Sequence, residues 1–98
     1  MNKYETVFIL NTKIDDEQKR NVLNKIEEYI VTNAKMTDIQ NIGVKKLAYD
    51  IKGEMLGDYY WINFLANDTF VNKLEKFYKK TAEILKFIVV RKEGIENE

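Results

Sequence analysis

The chain has 98 residues, of which 45% are hydrophobic and 33% are charged, a composition that suits one soluble globular domain with a single core. Its 16 basic residues balance 16 acidic ones, so a generally basic nucleic-acid-binding surface is excluded and any such contact must depend on local charge. The absence of Cys and His excludes disulfides, thiolate and imidazole catalysis and nearly all zinc sites. Neither a signal-peptide pattern nor an apolar run of the roughly 20 residues that span a bilayer occurs, so we expect a cytoplasmic protein without membrane contact or cofactor.

The first third of the chain predicts a strand followed by a helix. Residues 3–10 are rich in β-branched and aromatic side chains, which favours a strand. Asp15 offers an acceptor for free helix amides, and apolar residues then recur at three- and four-residue spacing. This pattern predicts a helix with one apolar face that ends near Asn33.

Residues 35–52 predict a second, irregular strand. Apolar residues alternate along it, but the alternation slips by one residue at the pair Lys45 and Lys46. Such a slip predicts a β-bulge, which redirects the side chains next to it. The two lysines therefore either serve a site or remain solvated at a bend. A Gly-containing turn leads to a third strand that ends at Ala66, so these two strands should form a hairpin.

The third strand contains "GDYYWINF" at residues 57–64. Alternation places Tyr59 and Trp61 on the wetter face, with Asn63, and places the other set in the core: Tyr60, Ile62 and Phe64. An RNA-recognition motif would need a basic residue, a Gly and a small residue at set places between the aromatics, and this stretch does not match. We therefore expect Tyr59 and Trp61 to contact protein or to be partly buried, rather than to stack on bases.

The remaining elements complete a β-α-β-β-α-β order. Asp68 is predicted to cap a second helix with one apolar face, and residues 84–92 are predicted to form a central or nearly central strand. The order is that of the ferredoxin-like split βαβ fold, an α+β class with a four-stranded antiparallel sheet and both helices on one face. We expect one domain over residues 1–92 and a short acidic tail at 93–98.

Several stretches together resemble the S-six family, the sixth protein of the bacterial small ribosomal subunit. They are "YE" at Tyr4 and Glu5, "GVKKLAYDI" at residues 43–51, the aromatic strand at 57–64 and "VVRK" at 89–92. The similarity covers nearly all of the chain and rests mainly on the order and spacing of these motifs. Two departures stand out: Asp50 occupies a position where the family often has Pro, and the acidic tail is short.

The resemblance implies a component of the small ribosomal subunit that binds the central domain of the subunit's ribosomal RNA together with a partner protein, S-eighteen. We expect the free chain to be a monomer. Lys45 and Lys46 fall on the family's basic pair and become candidate phosphate contacts. By similarity of position, further candidates are Lys3, Lys86, Arg91 and Lys92. Tyr59 and Trp61 are then expected to meet the partner protein.

The charge distribution predicts one basic side. Residues 73–92 hold seven Lys or Arg against two Glu, a local excess of five. Such a patch predicts modest RNA binding alone and tighter binding with a partner. The alternative is that the lysines of the second helix only face solvent and bind nothing.

Two other functions compete with this one. An acylphosphatase-like enzyme would need Arg and a phosphate-cradling loop after the first strand, and "NTKIDD" at residues 11–16 has neither Arg nor Gly. Adjacent carboxylates such as Asp15 and Asp16 diverge on a helix and do not make an acid–base pair, so we expect no enzyme. The remaining alternative is a regulatory module that binds a metabolite at a dimer interface, although the Gly-rich turn typical of such modules is missing.

Overall fold

The computed structural model describes residues 1–92, so the predicted tail at 93–98 lies outside the described residues. The elements follow the predicted order and confirm the ferredoxin-like fold. They are β1 (Asn2–Asn11), α1 (Asp16–Asn33), β2 (Lys35–Ile51), β3 (Glu54–Ala66), α2 (Asp68–Lys79) and β4 (Ile84–Arg91).

The four strands form one antiparallel sheet in the order β2-β3-β1-β4. The prediction that the last strand is central or nearly central is therefore wrong, because β4 pairs only with β1 and lies at an edge. Some of its apolar side chains are exposed to solvent, since Ile88 and Val90 are 49% and 44% exposed. Strand composition alone did not distinguish an apolar edge from a buried centre.

The core lies between the sheet and the two helices. On β3 the predicted set is confirmed, since Tyr60, Ile62 and Phe64 are all buried. The helices contribute buried residues at helical spacing, which are Val22, Ile26 and Ile30 from α1 and Phe70, Leu74 and Tyr78 from α2. Both helices therefore cover one face of the sheet, and we call the other face the open face.

The two helix starts differ from each other. Asp15 caps α1 as predicted, because its carboxylate accepts from the backbone amide of Gln18 at 2.8 Å. The prediction that Asp68 caps α2 is wrong, since Asn67 occupies the cap position and makes no side-chain capping bond. Asp68 is the first helical residue, and its carboxylate instead accepts from Tyr4 and Asn2 of β1. It therefore ties α2 to the sheet.

The β2–β3 hairpin bends over the open face. The turn at Lys52 and Gly53 has positive φ at both residues, 52° and 81°, as a tight two-residue hairpin turn requires. Lys45 and Lys46 themselves pair regularly, and the register shifts directly after them, between Lys46 and Ile51, as well as earlier in β2 at Met36/Asp38 and Asn41/Gly43. Within the segment after Lys46, Leu47 is buried against Ile9 of β1, and at the turn Lys52 Nζ donates to the carbonyl of Ile84 at 3.0 Å.

Candidate functional site

Three lysines lie side by side across one end of the open face. Lys3 and Lys35 both pair with Leu65, from opposite sides, and the backbone amide of Lys92 donates to the carbonyl of Lys3 at 2.9 Å. Because directly paired residues point to the same face of a sheet, the three side chains share the open face. We call Lys35, Lys3 and Lys92 the basic row. A row of ammonium groups on a flat face can contact phosphates.

A cavity of about 240 Å³ opens beside the basic row. Lys3 and Lys92 line it together with Asn63 and Thr37, and Leu65 forms part of its wall. Asn63 Oδ1 is buried and has no hydrogen-bond partner among residues 1–92. The cavity therefore brings together two cations and an unsatisfied acceptor.

Arg91 lies on the other face. It pairs with Tyr4, whose side chain is in the helix-covered core, and its guanidinium donates to Asn2 Oδ1 at 3.0 Å. Hydrogen bonds from Tyr4 and Asn2, aided by the nearby charge of Arg91, lower the pKa of Asp68 below its usual value. Arg91 therefore lies on the other face from Lys3 and Lys92, its companions among the sequence-predicted residues, although all three line a second, smaller cavity at this end of the sheet.

Lys45 and Lys46 lie on β2, the other edge strand, and both are exposed. They pair with Gly57 and Leu56, so their side chains leave opposite faces of the hairpin. Neither forms an ion pair with any residue in the part of the chain that the structure describes. Two solvated cations on either side of one exposed edge can contact phosphates along that edge.

Lys86 lies at the opposite end of the open face from the basic row. Its ammonium group donates to the Tyr49 hydroxyl at 3.0 Å, beneath the bent hairpin. This hydrogen bond raises the pKa of Lys86 and lowers the pKa of Tyr49. Lys86 therefore joins the hairpin to β4 rather than the basic row.

The two open-face aromatics are half-buried rather than bare. Trp61 Nε1 donates to the Glu5 carboxylate, and Tyr59 packs against the apolar cluster of Ile9, Leu47 and Leu85. Their predicted position on the open face is confirmed. With its indole N–H occupied and the hairpin against Tyr59, the pair does not form a free base-stacking platform.

Neither Lys35 nor Asn63 stands out as a functional residue in the amino-acid sequence. Lys35 joins the basic row only through the register of β2 against β3. Asn63 was recognised as a marker of the wet face, but its buried, unpartnered oxygen is visible only in three dimensions. Alternation gives the face of a residue, whereas the partner across the strand depends on register.

Within residues 1–92, no group of three or more His, Cys, Asp or Glu is arranged to hold a metal ion. No helix in this part of the chain has the length and apolar character needed to cross a membrane.

Residues 3–91 match the family model described as Ribosomal protein S6. Small ribosomal subunit protein bS6 of Azobacteroides pseudotrichonymphae is 31% identical over 96 residues, which cover 97% of this chain and 86% of the relative. Its counterpart in Bacteroides fragilis is 35% identical over 92 residues, covering 93% and 81%. The crystal structure of 30S ribosomal protein S6 from Thermotoga maritima superposes with a TM-score of 0.90 at 28% identity, covering 98% of this chain and 92% of that one.

The match to the family model includes Lys3, Lys35 and the lysines of the hairpin, and it ends one residue before Lys92. The chain therefore belongs to the ribosomal protein S6 family of the small ribosomal subunit.

Proposed function

We propose that this protein is a structural component of the small subunit that binds the central domain of the subunit's ribosomal RNA jointly with S-eighteen. Family membership carries the proposal, and it makes the chain a cytoplasmic, ribosome-associated protein, as the sequence predicted. The solvated lysines of the β2 edge and the basic row supply cations for the RNA. The role is architectural rather than catalytic.

Two separate regions would share the binding. Lys45 and Lys46 project from opposite faces of the β2 edge, whereas the basic row lies on the open face. Phosphate contacts position a protein on RNA, and contacts spread over two regions fix its orientation better than one cluster. Between these regions, the half-buried Tyr59 and Trp61 and the exposed Ile88 offer apolar area to a protein partner. The free chain would then be a monomer that gains stability from RNA and partner together.

Co-sedimentation with ribosomal particles tests the proposal. A tagged chain should migrate with small subunits on a sucrose gradient, and Lys45→Ala plus Lys46→Ala should shift much of it to the top. The matched control is Lys73→Ala plus Lys76→Ala, which removes two exposed helical lysines from the covered side of the sheet. It should migrate like the wild type.

Each other outcome has a definite meaning. If both double variants migrate like the wild type, the role stands and the lysine assignment at the β2 edge is wrong. If the wild type itself stays at the top of the gradient, the proposed function is wrong.

A further inference from the structure

We infer that the cavity at Asn63 is a subsite for one ribonucleotide unit of the bound RNA, with the phosphate on the lysines and the ribose 2′-hydroxyl on Asn63 Oδ1. The inference rests on the proposed function and deepens it by naming the chemical groups recognised at one place. Its basis is the meeting of an unsatisfied buried acceptor with two cations.

A buried acceptor without a partner is costly unless a ligand supplies the donor. Asn63 Oδ1 is such an acceptor, and Asn63 is one of the residues that line the cavity. The neighbours of Asn63 across the sheet are Glu5 on β1 and Asp38 on β2, which are acceptors as well when ionised. This part of the cavity therefore needs a donor and would repel a second phosphate.

The other side of the cavity has the opposite preference. Lys3 and Lys92 line it, and Lys35 lies just beyond Leu65 in the same row. Glu5 offsets part of this charge, because its carboxylate lies 3.9 Å from Lys92 Nζ, whereas Lys3 and Lys35 form no ion pair with another residue among 1–92. An anion is therefore favoured at the lysines, and a hydrogen-bond donor is favoured at Asn63.

A ribonucleotide carries both groups. Its phosphate is the anion, its 2′-hydroxyl is the donor, and neither depends on the base, so contact here would distinguish RNA from DNA without reading sequence. The cavity volume of about 240 Å³ is large enough for a sugar and its phosphate. Leu65 provides the apolar surface that a sugar ring covers.

Interference mapping tests this assignment directly. A central-domain fragment of small-subunit ribosomal RNA is transcribed with scattered 2′-deoxy phosphorothioate nucleotides and selected for binding to the full chain in the presence of S-eighteen. Wild type should exclude 2′-deoxy substitution at one or two positions. Asn63→Leu should bind unmodified RNA about three- to tenfold more weakly, as expected for one lost hydrogen bond, and should no longer exclude those substitutions.

Two further variants keep the test independent of folding defects. Asn72→Leu, at an exposed position on α2, should reproduce the wild-type map and affinity. Lys3→Gln should lower affinity and keep the same excluded positions, because it removes a phosphate contact but leaves the hydroxyl contact intact. A ribonucleoside monophosphate in large excess should not displace the RNA, which distinguishes an RNA subsite from a site for a free nucleotide.

Several outcomes would overturn the inference. Identical maps for wild type and Asn63→Leu would show that Asn63 does not contact a 2′-hydroxyl. Displacement by the monophosphate would make the cavity a nucleotide site. If Asn63→Leu weakens capture of S-eighteen in the absence of RNA, the cavity faces protein. A wild type that retains no RNA would overturn the proposed function as well.

Discussion

At the scale of single residues, Asp58 is the buried charge on which the β2–β3 region depends. Its carboxylate, 7% exposed, accepts from Lys19 at 2.8 Å, from Asn41 at 3.0 Å and from Tyr60 at 3.2 Å. The carboxylate thereby joins α1, β2 and β3. The hydrogen bond to Asp58 is the main reason that the pKa of Lys19 is raised.

Asp58→Asn should therefore lower the free energy of unfolding by about 2 kcal/mol, because Lys19, Asn41 and Tyr60 lose a charged hydrogen-bond acceptor. Urea denaturation at neutral pH measures the change. The control Asp50→Asn, at an exposed position, should stay within about 0.5 kcal/mol of wild type. Equal losses in the two variants would mean that burial of the carboxylate contributes nothing specific.

Alkaline pH should destabilise the fold through Tyr78. Burial raises the pKa of this phenol, whose hydroxyl lies 3.1 Å from Thr6 Oγ1. Above pH 10 the unfolded chain releases that proton while the folded chain keeps it, so stability falls as pH rises. The free energy of unfolding should be flat from pH 7 to about 9 and decline above 10. The free energy of unfolding of Tyr78→Phe should decline less steeply above pH 10. Parallel pH curves for the variant and the wild type would rule out Tyr78 as the source of the decline.

At the scale of elements, the bent hairpin is held where Gly57 meets β1. A methyl carbon at Gly57 would overlap Ile9 Cγ2 and lie 3.2 Å from Leu47 Cδ2. Gly57→Ala should therefore cost about 2 kcal/mol in wild type, as overpacking does. In an Ile9→Ala background the same substitution should cost less than about 1 kcal/mol, because the overlapping methyl is gone. Chemical denaturation of the four proteins measures this coupling, and simple additivity would contradict the close approach.

Local sequence patterns predicted the helices and strands well, but they predicted less well which elements lie next to each other in the fold. The cap at Asp15 and the core set of β3 follow from short-range chemistry, namely a free amide to satisfy and a period of two. The edge position of β4 and the role of Asp68 did not follow, because both depend on which strand lies beside which. The bend of the hairpin depends on the contact between Leu47 and Ile9, which are about forty residues apart along the chain. A local sequence pattern does not encode such a long-range contact.

At the scale of the whole molecule, a neutral chain distributes its cations unevenly. The sequence indicated that Lys3 and Lys92 matter, and the structure brings them together while placing Arg91 on the other face. Lys35, at the start of β2, completes the row although nothing in its local sequence distinguishes it from other lysines. The proposed binding surface therefore depends on strand register more than on the local excess of basic residues counted along the chain.

This distribution predicts how RNA affinity responds to salt. Each phosphate contact releases about 0.7–0.9 counterion, so the slope of log K against log salt counts the lysines that meet phosphate. Lys45→Ala plus Lys46→Ala should make the slope less steep by about 1.4–1.8, whereas Lys73→Ala plus Lys76→Ala should leave it nearly unchanged. Filter binding of the central-domain RNA with S-eighteen, over a series of KCl concentrations, measures the slopes. Net charge changes equally in both variants, so equal changes in slope would mean that RNA responds to overall charge and not to contacts at the β2 edge.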